Sequence, residues 1–165
     1  MYESVRKGAR ARKDRLLVVT LLIALALVIS VTPAMYTALR ASYLYHCFVQ
    51  DFADDLVYAR RRGVIELTEG DAVSPVTADA VSGMFVQLTD CSFGQPLKQA
   101  PRAEHVTLLL PNGAVFSLYN TPQDIGEPLP SGVTVEYTSK DGKTFIYLQR
   151  AMRYENAVAL LHMGT

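Results

Sequence analysis

Residues 16–39 form an uncharged run in which Leu, Val, Ile and Ala dominate. As a helix, this run would extend about 36 Å at ~1.5 Å per residue, which is enough to cross a hydrocarbon core of about 30 Å. Lipid offers no water to the polypeptide backbone, so a helix is the form in which one isolated segment crosses it. We therefore predict a transmembrane helix over residues 16–39. This run constrains the fold more than any other feature of the sequence.

Charged residues are distributed unevenly on the two sides of this run, although the formal net charge of the chain is zero. Residues 1–15 carry a net charge of +4, and residues 40–165 carry a net charge of −4. Basic residues beside a first hydrophobic segment stay on the cytoplasmic side of a membrane. We predict a single-pass protein of the cell membrane, with a cytoplasmic tail over 1–15 and an extracytoplasmic C-terminal domain. The predicted topology determinants are Arg6, Lys7, Arg10, Arg12, Lys13 and Arg15.

A cleaved signal peptide is the alternative interpretation of the same run. The basic residues in front of it fit a signal peptide, but the apolar run is longer than the usual hydrophobic region. The best small-residue cleavage site, Thr32-Pro33-Ala34, has a proline at its middle position. An uncleaved signal-anchor is therefore the preferred interpretation.

Residues 40–62 are predicted to form a membrane-proximal amphipathic helix that continues the anchor. Apolar side chains recur there at spacings of three and four, which is typical of one buried helix face. The three arginines at 60–62, followed by Gly63, indicate the end of the helix. The buried stripe consists of Tyr45, Phe48, Phe52, Leu56 and Ala59. The polar side chains Asp51, Asp54 and Asp55 are interpreted as a solvated face.

Tyrosines cluster around the outer end of the predicted anchor. Aromatic side chains favour the headgroup region of a bilayer, because their rings are apolar and their hydroxyl groups are polar. We therefore predict interfacial positions for Tyr36, Tyr43 and Tyr45.

Residues 63–165 are predicted to form a small α+β domain outside the membrane. Two hairpins are expected around Asn112-Gly113 and Asp141-Gly142, because these dipeptides supply the positive φ of tight turns. A short strand over 64–68 brings the predicted antiparallel sheet to four or five strands. One or two short helices are predicted to pack on it. One follows Thr77, which can cap a helix, and another lies at 152–162. Loops are predicted over 69–76, 91–103 and 121–132.

Two cysteines leave the redox chemistry of the domain open. A disulfide between Cys47 and Cys91 is possible outside the cell, where oxidising conditions favour it. Two free thiols, or a bridge from Cys47 to a second chain, are the alternatives. There is no C-x-x-C pair in the sequence.

Candidate catalytic and metal-binding residues do not form a recognisable pattern. His46 lies beside Cys47, but neighbouring helix residues point about 100 degrees apart, so one small atom cannot easily meet both. The sequence has no H-E-x-x-H, G-x-S-x-G, Walker, G-x-G-x-x-G or S-x-x-K motif. We therefore expect a non-catalytic chain and identify no catalytic residue, metal ligand, cofactor or small-molecule ligand.

These features favour a membrane-anchored binding or assembly domain. The basic tail suits the headgroups of membrane lipid, and an acidic domain is a poor partner for nucleic acid. The expected partner is another membrane or envelope protein. The alternative is a sensor or regulatory accessory subunit of a membrane complex, in which the anchor helix reports to a membrane partner.

A long N-terminal helix followed by an antiparallel sheet is similar in layout to type IV pilins and pseudopilins. That resemblance implies a second alternative function, a component of a surface assembly. Members of those families have a short basic leader that ends in Gly, followed by an apolar start with Glu at its fifth position. This chain departs from that pattern: Gly8 is followed by Ala9, and the fifth residue after Gly8 is Lys13 where those families have Glu.

Overall fold

A computed structural model of the chain describes residues 2–89, 94–121 and 132–163, with side chains from residue 19 onward. The chain divides into two compact units, Met1–Ala41 and Ser42–Thr165, which are described separately below. The predicted α+β class is confirmed, with one long N-terminal helix and an antiparallel sheet that carries short helices.

The long helix α1 covers Tyr2–Arg62 and includes Pro33 within it. It is long and apolar enough to cross a membrane. In the first unit its large apolar side chains are exposed, with Leu21 at 65% and Ile29 at 64%. The hydroxyl groups of Ser30, Thr32 and Thr37 donate to backbone carbonyl oxygens three or four residues earlier. These polar side chains therefore have hydrogen-bond partners within their own helix.

The described residues of the second unit form a seven-stranded sheet in which every pair of neighbouring strands is antiparallel. The strand order is β2-β1-β4-β5-β6-β7-β3. The helices after α1 are α2, Ala78–Thr89, and α3, Tyr154–His162. The strands are β1 Ile65–Glu69, β2 Ala72–Val76, β3 Gln95–Pro96, β4 His105–Leu109, β5 Val115–Thr121, β6 Gly132–Thr138 and β7 Thr144–Gln149.

The prediction of four or five strands is wrong, because two segments predicted to be loops pair at the two edges of the sheet. β2 lies within 69–76 and contains Pro75. β3 lies within 91–103 and contains Pro96. Proline disfavours a central strand but is tolerated on an edge strand, where its missing N–H faces away from the sheet.

The two predicted hairpins are confirmed and have the same turn geometry. Each has a three-residue loop, closed by hydrogen bonds between Leu110 and Ala114 in one hairpin and between Ser139 and Lys143 in the other. The last loop residue has positive φ in both, +86° at Gly113 and +79° at Gly142. Three-residue hairpin loops need one residue in this conformation, and glycine adopts it without steric cost.

Replacing Gly113 with alanine is expected to lower the free energy of unfolding by about 1–2 kcal/mol, because the left-handed conformation costs this much for a residue with a Cβ. A Cβ at Gly113 would meet no atom within 4 Å, so the cost is conformational. Gly83→Ala in α2 is the matched control, since its Cβ also enters open space. This control should stabilise by about 1 kcal/mol, because alanine favours helix. Denaturant unfolding of both variants measures the signs, and two changes of equal sign would contradict the argument.

All three helices pack toward one face of the sheet, which we call the inner face. Rings of α1 at Phe48 and Phe52 contact rings of the sheet at Tyr137 and Phe116. α2 adds Phe85 to the same cluster, and α3 packs against α2 and β5. The predicted stripe of residues 45–59 is buried, with each of its five apolar side chains at most 6% exposed. The expected helix after Thr77 is also present, and the Thr77 hydroxyl accepts a hydrogen bond from the N–H of Ala80.

Candidate functional site

The face of the sheet opposite the helices, here called the outer face, carries polar and hydroxyl side chains. Strand register aligns its side chains in rows that cross the sheet. The central row runs through Thr68, Thr107, Ser117, Glu136 and Ile146. The row on one side runs through Glu66, Leu109, Val115, Thr138 and Thr144. The row on the other side runs through His105, Tyr119, Thr134 and Leu148. These rows include two glutamates and one histidine, but no lysine or arginine.

Hydroxyl groups on the outer face pair across neighbouring strands. Thr107 and Ser117 lie 3.0 Å apart, and Thr138 and Thr144 lie 3.1 Å apart, measured between side-chain oxygens. A hydroxyl that both donates and accepts retains capacity for a further hydrogen bond. Of these four side chains Ser117 is buried, Thr107 and Thr138 are half-buried, and Thr144 is exposed to an approaching partner.

Tyr119 lies on the outer face of β5, the middle strand of the sheet. Its hydroxyl donates a hydrogen bond of 2.7 Å to Oε2 of Glu136, and its ring stacks on His105 with the centroids 5.1 Å apart. Partial burial and the hydrogen bond to the Glu136 carboxylate raise the pKa of Tyr119 to about 12. Tyr119 is thus a neutral donor at physiological pH, fixed in orientation on both its ring and its hydroxyl. An ordered tyrosine of this kind is a common contact residue in protein interfaces.

A second polar cluster is buried in the inner face and centred on Asp55 of α1. The Asp55 carboxylate accepts hydrogen bonds of 2.6 Å from the Tyr137 hydroxyl and from Nδ2 of Asn112. Asp55 is 8% exposed and Tyr137 is fully buried. Burial and the contact with the Asp55 carboxylate raise the pKa of Tyr137 well above its ordinary value. This cluster fastens α1 to the turn between β4 and β5 and to β6.

The prediction that Asp55 belongs to a solvated face is therefore wrong, whereas Asp54 is exposed as predicted. The sequence contains a signal for this burial. Asp55 lies three residues after Phe52 and four before Ala59, so it falls on the apolar stripe itself. A carboxylate on such a stripe must find buried donors, and the donors here come from strands and turns far along the chain.

Tyr45, for which an interfacial position is predicted, is buried in the core of the second unit. Its side chain is 5% exposed and packs edge-on against Tyr147, with the ring centroids 5.1 Å apart. Its hydroxyl accepts a hydrogen bond of 2.9 Å from Nε2 of Gln149. Tyr36 and Tyr43 are 63% and 68% exposed, respectively. Helical spacing placed Tyr45 on the buried stripe as well, and tertiary packing decided between the two roles.

The possible disulfide between Cys47 and Cys91 is one of the alternatives left open above, and Cys91 lies outside the described residues. Cys47 lies on α1 and is partly buried. The side chains of the predicted topology determinants Arg6, Lys7, Arg10, Arg12, Lys13 and Arg15 also lie outside the described part of the chain. His46, next to Cys47, is exposed on α1.

A groove of about 420 Å³ lies where α1 ends, between Gly63-Val64, the end of β2 and the start of α2. An ion pair between Arg60 and Asp79 lies at its rim. Both partners are exposed, so the pair contributes at most about 1 kcal/mol and leaves the groove without excess charge.

Metal-binding geometry is absent from residues 19–89, 94–121 and 132–163, where no three His, Cys, Asp or Glu side chains are grouped to hold an ion. No protein-family model, curated protein or solved structure matches this chain. Among the described residues, we take the outer face around Tyr119 as the candidate functional site, because Glu136 and His105 hold its ring and hydroxyl in place.

Proposed function

We propose that this chain is a single-pass, membrane-anchored binding protein whose domain lies outside the membrane and binds another membrane or envelope protein. Residues 16–39 serve as the anchor in this proposal, and residues 1–15 remain in the cytoplasm. The domain acts by binding and carries out no catalysis.

The observation that carries the proposal is the exposure of a long apolar helix surface. The large apolar side chains of residues 19–39 are half or more exposed, and many lie next to one another along α1. Monomeric soluble proteins rarely expose contiguous apolar patches of more than a few hundred Å². The hydrocarbon core of a membrane would cover this apolar surface. The basic residues in front of it favour a cytoplasmic N-terminus.

The outer face is the proposed binding surface, and charge indicates the chemistry of the partner. The rows across the outer face bear Glu66 and Glu136 as their carboxylates, and residues 40–165 carry a net charge of −4. A partner surface that contains basic residues complements these charges and is attracted at long range. Tyr119, fixed by Glu136 and His105, supplies an aromatic contact on this surface.

Site-specific photo-crosslinking in intact cells tests this proposal. A photoreactive residue replaces Leu109 on the outer face, and the matched control replaces Val86 on α2. These side chains are 42% and 56% exposed, respectively. We expect a discrete adduct with one membrane or envelope protein from position 109, none from position 86, and at least a fivefold loss of adduct on Glu136→Lys. Equal adducts from both positions, or an adduct insensitive to Glu136→Lys, would contradict binding through the outer face.

Topology is tested in the same cells with an epitope tag at the C-terminus. External protease should remove the tag from intact cells while the tail before residue 16 stays protected. A tag that is cut only after the cells are lysed would contradict the proposed orientation.

A further inference from the structure

We propose that Pro75 and Pro96 close the two edges of the sheet, so that neither a second copy of this chain nor an extended peptide adds a strand to it. An edge strand presents unpaired backbone N–H and C=O groups, which form a template for another strand. β2 and β3 are the edge strands here, and each contains one proline. The inference goes beyond the proposed function, because it concerns the edges and not the outer face.

The register of β2 shows which way each of its backbone groups points. Gly70 and Asp71 form a two-residue turn, with φ of +58° at Gly70, and Glu69 and Ala72 are the pair that closes it. The closing pair of such a hairpin exchanges hydrogen bonds, and the direction of the backbone groups then alternates along the strand. The backbone groups of Ala72, Ser74 and Val76 therefore point toward β1. The backbone groups of Val73 and Pro75 point outward, away from the edge of the sheet.

β3 has the same arrangement at the opposite edge. The N–H of Leu97 donates a hydrogen bond of 2.9 Å to the carbonyl oxygen of Ile146 in β7. Pro96 lies opposite Tyr147 in the register, one residue before Leu97. By the same alternation, Gln95 and Leu97 face β7, and Pro96 faces away from the sheet.

Both outward positions are open to solvent, since Pro75 and Pro96 are exposed. An added antiparallel strand would need donors from Val73 and from position 75, and proline supplies none. The carbonyl group of the incoming strand opposite Pro75 would stay unpaired, which costs about 1–3 kcal/mol when it is buried. At β3 the outward donor is missing at Pro96. Strand addition is thus disfavoured at both edges for the same reason, the missing backbone N–H of an outward-facing proline.

Sedimentation equilibrium of the full chain in detergent micelles tests this inference with Pro75→Thr, Pro96→Thr and the double variant. Threonine restores the N–H and favours strands. Pro111→Thr is the matched control, because it changes the same residue type in the turn between β4 and β5. Any association through α1 is common to all variants and therefore cancels in the comparison.

We expect the double variant to associate at least tenfold more tightly than the wild type, reversibly on dilution, with Pro111→Thr unchanged. Hydrogen exchange of the Val73 amide should slow on association in the variant, because that N–H then enters a backbone hydrogen bond. Hydrogen exchange in the wild-type chain tests the same inference and does not depend on whether a variant folds. Its Val73 amide should exchange at the same rate at low and high protein concentration. Concentration-dependent slowing in the wild type, or an unaltered association constant in a folded double variant, would overturn the inference.

Discussion

Replacing Phe52 with alanine is expected to lower the free energy of unfolding of the domain by about 3–5 kcal/mol. Phe52 is fully buried at the centre of an aromatic cluster that joins α1, α2 and the sheet. Its ring lies 4.3 Å from that of Phe116, 4.5 Å from that of Phe85 and 5.4 Å from that of Tyr137, measured between centroids. Truncation removes these contacts and leaves a cavity that rings from three elements cannot easily fill.

Thermal or denaturant unfolding of the full chain, followed by near-ultraviolet circular dichroism, measures this loss. Val57→Ala on the same helix is the control, because Val57 is 48% exposed and its truncation should change stability by no more than about 0.5 kcal/mol. A domain of this size has a total stability of about 5–15 kcal/mol, so the Phe52 variant should be close to unfolding at moderate temperature. Equal stability of the two variants would show that the α1 stripe is not the centre of the core.

Replacing Asp55 with alanine is the second large effect and is expected to cost about 2–3 kcal/mol. The Tyr137 hydroxyl is fully buried and would lose its acceptor, and a buried unsatisfied group costs about 1–3 kcal/mol. Asn112 is half-buried and would also lose its acceptor, although water can replace part of that bond. Asp54→Ala is the control, because Asp54 is exposed on the same helix and has the same side chain.

A double-mutant cycle separates the hydrogen bond from other effects of the Asp55 substitution. Tyr137→Phe removes the orphaned hydroxyl, so adding it to Asp55→Ala should cost less than Tyr137→Phe costs alone, or should even stabilise. The expected coupling between the two positions is about 1–3 kcal/mol. Strictly additive changes would mean that the 2.6 Å contact between Asp55 and Tyr137 contributes no net stability.

The edge strands show why sequence signals underestimated the sheet. Gly70 lies in the turn before β2, but Pro75 and Pro96 lie inside edge strands and not in the predicted loops. Whether a proline-containing segment pairs at all depends on the strand beside it, which lies elsewhere in the chain for β3. For example, Gln95 pairs with Leu148, and no sequence pattern around Gln95 predicts this distant partner.

The outer face was only partly predictable. Alternation along the strands indicates which residues share a face, so the separation of Tyr119 from the core follows from the sequence once the strands are placed. Its hydrogen bond to Glu136 and its stacking on His105 require the register of three strands. Because a shift of one residue would move every side chain to the other face, these contacts were beyond sequence reasoning.

The sequence by itself determined the uncharged helix, the buried stripe of α1 and the two glycine-closed hairpins. These features depend on side chains within a few residues of each other, so local physical chemistry is sufficient. Tertiary structure alone decided that Tyr137 is the hydrogen-bond donor to Asp55, that Tyr45 bonds to Gln149 and that β2 and β3 complete the sheet. The Asp55 and Tyr45 contacts join residues 82 and 104 positions apart, and only the folded chain brings their donors and acceptors together.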